Sequence, residues 1–277
     1  MKRGLALLGV FVSVSLLTRA PFLAVPILDL DEAAHAVGSW ELMRGGRLYT
    51  DFADNKPPLL YAYYAGAQAL FGRGLPAVRL LTALLALPLT AWAASFFYRH
   101  DRRGLVAGLL YLIYGAAFLA HDMHAVHAEI LWLLPGAWAV ALMREESDGA
   151  SAARLIGAGL LLGVAVLFKH HAAAWLLVPA VAAARANGEG RGRARRLAAR
   201  GALLAAAFGA PLVVAWLAFA LTGGAADLVY WTLTWNLGYA ANSPPLPEAL
   251  LRAARGPLPF LAAVSPLLWM GWRSRTR

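Results

Sequence analysis

Pro58-Leu59-Leu60-Tyr61-Ala62-Tyr63-Tyr64-Ala65-Gly66-Ala67-Gln68-Ala69-Leu70-Phe71-Gly72 decides the reading of this chain. The stretch is apolar enough to cross a bilayer, yet short of the ~20 residues a crossing needs, and its aromatics suit the headgroup level. Around it the chain is 277 residues long, 60% hydrophobic and 14% charged, with a mean hydropathy of +0.59. A soluble globular domain has about 45–50% apolar and about 25% charged residues, so a water-soluble fold is excluded. There is no cysteine, which excludes disulfide frameworks, thiolate metal sites and cysteine nucleophiles.

Apolar segments recur at Gly4 to Leu17 and at about 75–98, 104–120, 128–143, 155–168, 172–184, 201–221 and 257–271. If 58–72 lies flat, these make about eight spans. The first follows Lys2 and Arg3 but has no A-x-A-like cleavage site, so it reads as a retained span. With the N-terminus cytoplasmic, the inner segments hold sixteen of the 25 basic residues and only five of the 15 acids, as the positive-inside rule requires. A crossing at 58–72 would export Arg99, Arg102, Arg103 and the arginines of 185–200. For the same reason 155–184 is expected to break at Lys169-His170-His171. The Gly- and Arg-rich segment Ala186 to Arg200 is expected as an inner loop, a topology signal in contact with anionic lipid rather than nucleic acid. The expected fold is thus all-α: one polytopic transmembrane helical bundle over 1–277, in a bacterial inner (plasma) membrane. Residues 24–74 form an outer loop with amphipathic interfacial helices, and 222–256 a second outer loop.

Chemistry-bearing residues collect in the outer segments. Asp29, Asp31 and Glu32 precede an amphipathic pattern, where Asp29 or Asp31 would cap a helix start. Lys56, ahead of Pro57-Pro58, can hold a phosphate as a point charge or snorkel to the interface. His121, His124 and His127, with Glu129, are either ligands for a divalent metal or the polar lining of a cavity. Lys169 and His170 stand at the expected break, and a lysine at membrane depth is a functional-site candidate. In 222–256, Trp231, Trp235 and Tyr239 follow at i, i+4 spacing, either as an interfacial belt or as a surface for a sugar ring or lipid tail.

Asp31-Glu32, Gly46-Arg47-Leu48-Tyr49-Thr50-Asp51-Phe52, Asn55-Lys56-Pro57-Pro58-Leu59, Phe71-Gly72 and Arg79-Leu80 resemble the N-terminal half of the integral-membrane GT-C glycosyltransferases, relatives of protein O-mannosyltransferases and of the lipid A aminoarabinose transferase. The resemblance covers residues 28–82, and more loosely Ala128-Glu129-Ile130 and Phe168-Lys169. It implies transfer, with inversion, of a sugar from a polyprenyl-phosphate carrier to a lipid, glycan or protein acceptor hydroxyl on the periplasmic or exterior side. Asp31 would be the general base, with Glu32 and Glu129 the neighbouring acids of the catalytic loops. Lys56, Lys169, His170, Arg252, Arg255, Trp235 and Tyr239 would bind the donor. No cofactor is required, although a divalent metal is compatible with it. The family's members are usually longer, so the chain is expected to be a short or truncated one. Two rival classes keep the same residues: a transporter or proton-coupled channel, and a non-catalytic lipid-phosphate-binding subunit.

Overall fold

A computed structural model describes residues 2–118, 123–143, 151–185, 192–241 and 245–255. Among the described residues the fold is all-helical, with one isolated bridge between Leu48 and Phe52. Two compact units are distinguished, one up to Thr232 and one from Leu233.

In the first unit, α1 (Lys2–Leu23) and α4 (Leu75–Phe97) are long and apolar enough to cross a membrane, and so is the 194–221 stretch of α9 (Arg193–Leu221). At 1.5 Å per residue, α1 and α4 reach about 33–35 Å, a full bilayer core. Between them lie two shorter helices, α2 (Leu30–Met43) and α3 (Pro58–Phe71), within the stretch 24–74. α3 holds 14 residues, about 21 Å, and falls short of the core thickness. It starts where Pro57 is extended (ψ 157°) and Pro58 takes the first helical position, where a missing N–H costs nothing. It ends at Gly72, whose φ of +93° a side chain would oppose. α4 carries a π turn at Thr82–Ala86, in which the Leu87 N–H reaches back five residues to the Thr82 carbonyl.

α5 (Arg102–Phe118), α6 (Ala128–Leu142) and α7 (Ala152–Val166) follow, and α4 packs on α1, α5 and α6. The break expected at Lys169-His170-His171 is present: α7 ends at Val166, Lys169 is extended, and His170–Leu176 winds as a 3₁₀ turn into α8 (Leu177–Arg185). α7 in turn lies against α9 through small residues. A Cβ on Gly159 would stand 2.9 Å from the Leu204 carbonyl, and one on Gly163 would run into that of Phe208. This is backbone-to-backbone packing of the small-xxx-small kind.

Two expectations need correction. The arginine-rich segment to residue 200 is not a loop throughout, because α9 begins at Arg193; arginine is a good helix former, and a run of charge does not by itself specify a conformation. The described part of 222–256 is largely helical, with α10 (Ala225–Val229) in the first unit, followed by a π turn at Tyr230–Thr234. In the second unit, α11 (Trp235–Ala241) and α12 (Leu246–Arg255) are helices. The i, i+4 aromatic spacing was itself a helical period.

Candidate functional site

The segment between α1 and α4 is built on a buried ion pair. Glu32 is fully buried and Arg79 is 3% exposed. Arg79 donates through Nε to Glu32 Oε1 at 2.9 Å and through Nη2 to Oε2, a two-point contact that fixes both planes. Its Nη1 donates to the carbonyls of Phe22 (2.9 Å) and Val25, so the end of α1 is tied to the same group. Glu32 Oε1 also accepts from the Val126 N–H at 3.0 Å, and the Tyr64 hydroxyl donates to the Val126 carbonyl. One carboxylate thereby joins α1, α2, α4 and the segment before α6. Glu32 was expected among the catalytic acids; with both oxygens engaged and no accessible surface, it is instead the floor on which the loop stands.

On α2, one residue is about 100° of helical turn. Asp31 therefore faces outward and is exposed, whereas Glu32 faces inward. Asp29 caps the helix, its Oδ1 accepting from the Asp31 N–H at 2.7 Å. His127 Nε2 lies 3.5 Å from the same oxygen. Ligand atoms of Asp29, Asp31 and His127 all fall within 4.8 Å of one another, so these three could hold a divalent cation. That is not the histidine trio expected from spacing. His124 stacks on Phe22 (ring centroids 3.6 Å apart) and lines a separate cavity, and His121 lies outside the described residues.

Beside this group His35 is buried between the edges of Tyr61 and Tyr64, its Nε2 4.0 Å from Asp54. Burial pushes its pKa down to about 4, against the opposing pull of Asp54, so the ring is neutral at pH 7. The other titratable groups facing it are Lys56, Asp31 and His127. Burial, reinforced by Asp54, drives the Tyr61 hydroxyl far above its ordinary range, so it stays protonated.

Lys56 is held by its backbone. Tyr49 adopts φ 72°, unusual for a bulky residue, within a turn closed by its N–H to the Phe52 carbonyl at 2.7 Å. From there its hydroxyl donates to the Lys56 carbonyl at 2.7 Å, while its ring packs on Phe219. The Lys56 ammonium donates to Asn55 Oδ1 at 3.1 Å. Three residues on, the Leu59 N–H donates to the Leu167 carbonyl at 3.0 Å, which pins the start of α3 to the break after α7. Lys56 and His170 consequently face each other, together with Lys169 and His171. Lys169 forms an ion pair with Glu129, which is half-exposed at the start of α6 and also faces His127.

Asp31, Lys56, Glu129, Lys169 and His170, drawn from four separated segments, thus form one chain of neighbours. Sequence reasoning missed Arg79, His35, Asp54 and Tyr49 as its supports. A lone arginine inside an apolar span was the available signal, since a charge there needs a partner. Trp235 is exposed in the second unit, and the side chains of Tyr239, Arg252 and Arg255 lie outside the described set. No protein-family profile, curated protein or solved structure matches the chain.

Proposed function

We propose that this chain is a GT-C-type glycosyltransferase of about eight spans in a bacterial plasma membrane. It would move a sugar from a polyprenyl-phosphate carrier to an acceptor hydroxyl on the non-cytoplasmic side. The observation that carries the proposal is the division of charge within one cluster: an exposed carboxylate at a helix start, and cations from two other segments gathered nearby. Asp31 sits exposed in the first turn of α2. It would accept the proton of the acceptor hydroxyl as that oxygen attacks the anomeric carbon from the face opposite the phosphate. The bond from the anomeric carbon to the phosphate oxygen breaks, and its electron pair leaves on the carrier. Lys56, with Lys169 and His170 beside it, would stabilise that growing negative charge. Glu129 would hold Lys169 in place through their ion pair.

The test is to incubate the purified chain in nanodiscs with a panel of polyprenyl-phosphate sugars and follow released polyprenyl phosphate. Asp31→Asn is expected to lower the rate by about 10²–10⁴-fold while leaving carrier binding intact, because the amide keeps the shape but takes no proton. Since Asp29 is the capping residue, helix α2 loses no side-chain cap in this variant. A rate within tenfold of the unaltered protein would remove the general base. Chelation separates the two uses of the carboxylates: an unchanged rate supports Asp31 as a base, and a rate abolished by chelator would assign Asp29, Asp31 and His127 to a metal.

A further inference from the structure

The turn between α4 and α5 has no part in the site above. Its Arg99 (φ 54°) and His100 (φ 56°) stand in succession in the left-handed region, which residues other than glycine seldom enter. Such a pair persists only where its surroundings hold it. Here the His100 N–H donates to the Ser95 carbonyl at 2.8 Å, its Nδ1 lies 2.6 Å from the Ser95 hydroxyl oxygen, and its ring stacks on Trp92 with centroids 6.0 Å apart. The first turn of α1 meets the same ring, since a Cβ on Gly4 would stand 3.0 Å from His100 Nε2. Burial lowers the pKa of His100, and positive charges at the start of the chain, Arg3 among them, lower it further, so the ring is largely neutral at pH 7.

His100 thereby gathers cations from two distant parts of the sequence. Lys2 and Arg3 lie just before Gly4, Arg99 is in the turn, and Arg102 and Arg103 open α5; all five are exposed. The acid among them, Asp101, is already engaged: its Oδ1 accepts from the Gly104 N–H at 3.0 Å and its Oδ2 from Arg103 Nε at 2.9 Å. Among the described residues, Lys2, Arg3, Arg99 and Arg102 have no carboxylate within ion-pair distance. A topology signal needs only a count of charge on one side, and the cations could be spread out. A strained turn that brings like charges together instead calls for an anion. Within one turn along each helix the surface becomes apolar, with Leu5 on α1 and Val106 on α5 exposed. Deeper still, Phe11 fills the space over Gly108 and the two helices close on each other. Cations followed at once by apolar surface match an amphiphile rather than a free phosphate, and arginine forks fit phosphate oxygens at two points. We propose that this end of the α1–α5 pair binds an anionic bilayer phospholipid, its phosphate taken by Arg3, Arg99 and Arg102 and its acyl chains lying against Leu5 and Val106. Basic pockets between membrane helices hold such headgroups in the same way. This inference is independent of glycosyl transfer.

The experiment follows thermal unfolding of the full chain in neutral detergent during titration with phosphatidylglycerol, phosphatidylcholine or inorganic phosphate at constant ionic strength, so that general screening is equal. A ligand that prefers the folded state raises Tm with its concentration. Phosphatidylglycerol is expected to raise Tm by about 2–4 °C and the other two to leave it unchanged. The rise should vanish when Arg99→Gln and Arg102→Gln are combined, and persist when the same charge is removed from the exposed pair Arg44 and Arg73 by Arg44→Gln with Arg73→Gln. In case the first variant fails to fold, native mass spectrometry of the unaltered chain in mixed lipid should show one phosphatidylglycerol retained after phosphatidylcholine is stripped. An equal rise with phosphatidylcholine, an equal rise with inorganic phosphate, equal losses in the two double variants, or no lipid retained would each overturn the proposal.

Discussion

Lys56 separates two physical roles that look alike in sequence. A lysine that snorkels needs only its charge near water, whereas a phosphate clamp needs its position fixed. The backbone of Lys56 is fixed on one side by the Tyr49 hydroxyl and on the other by Pro57. Lys56→Ala is accordingly expected to weaken carrier-phosphate binding by about 10–100-fold, the value of one charge-assisted hydrogen bond, and to lower kcat as well. Lys56→Arg should restore part of the binding and less of the rate, since a planar fork does not occupy the point of an ammonium. Unchanged affinity for free polyprenyl phosphate in Lys56→Ala would return the residue to an interfacial anchor. His35 yields a pH dependence with a definite sign. Its folded pKa, about 4, is below the ordinary value of about 6.5, so the unfolded chain binds the proton more tightly. The stability it contributes is complete above about pH 6.5 and is lost as pH falls toward 4, amounting to about 2 kcal/mol by pH 5. Thermal unfolding at pH 7.5 and pH 5 should show this drop, reduced in His35→Gln; an equal drop in the variant would place the titration elsewhere. Asp31 and Lys56 were legible in the sequence because charged residues at span ends stand out. The division of labour between Asp31 and Glu32 was not, because it depends on helical phase and on a partner 47 residues away.

Among the helices, α7 and α9 show how much of the bundle rests on the absence of side chains. Gly163 lies so close to the Phe208 carbonyl and to Pro211 that any larger residue must push the helices apart. Gly163→Leu is expected to cost about 3 kcal/mol or more, in the range of severe overpacking, and to lower detergent Tm clearly. Gly201→Leu on α9, where nothing lies within 4 Å of the missing Cβ, should leave Tm nearly unchanged and serves as the control. Equal sensitivity at the two positions would refute this account of the contact. Most other elements could be read from apolar runs and their interruptions, and the break at Lys169 followed from charge alone. The helical start of α9 could not, because arginine content reports a side of the membrane and says little about winding. The π turn in α4 left no trace either, since Thr82–Ala86 is as apolar as the turns around it.

At the scale of the whole molecule, the orientation proposed above places α2 and α3 outside. The native chain has no cysteine, so a single introduced one reports cleanly. Ser39, central in α2, is a poor position, being buried and bonded to Gln68 at 2.7 Å. Arg44, exposed at the end of α2, is a better one. Arg44→Cys in intact cells should react with a membrane-impermeant maleimide added from outside, and labelling that requires lysis would invert the topology and the side on which the site works. The bonds that hold the segment between α1 and α4 also have an order in time. Glu32 waits for Val126, Leu59 for Leu167, and Thr50 for Asp227, a separation of 177 residues. At about 5–20 residues per second of synthesis, that last partner leaves the ribosome roughly 10–35 s after the loop. For that interval the nascent loop has its own turns but not its distant anchors. The acids and lysines of the cluster would come together only once residue 170 has emerged, and the Thr50–Asp227 contact closes later still.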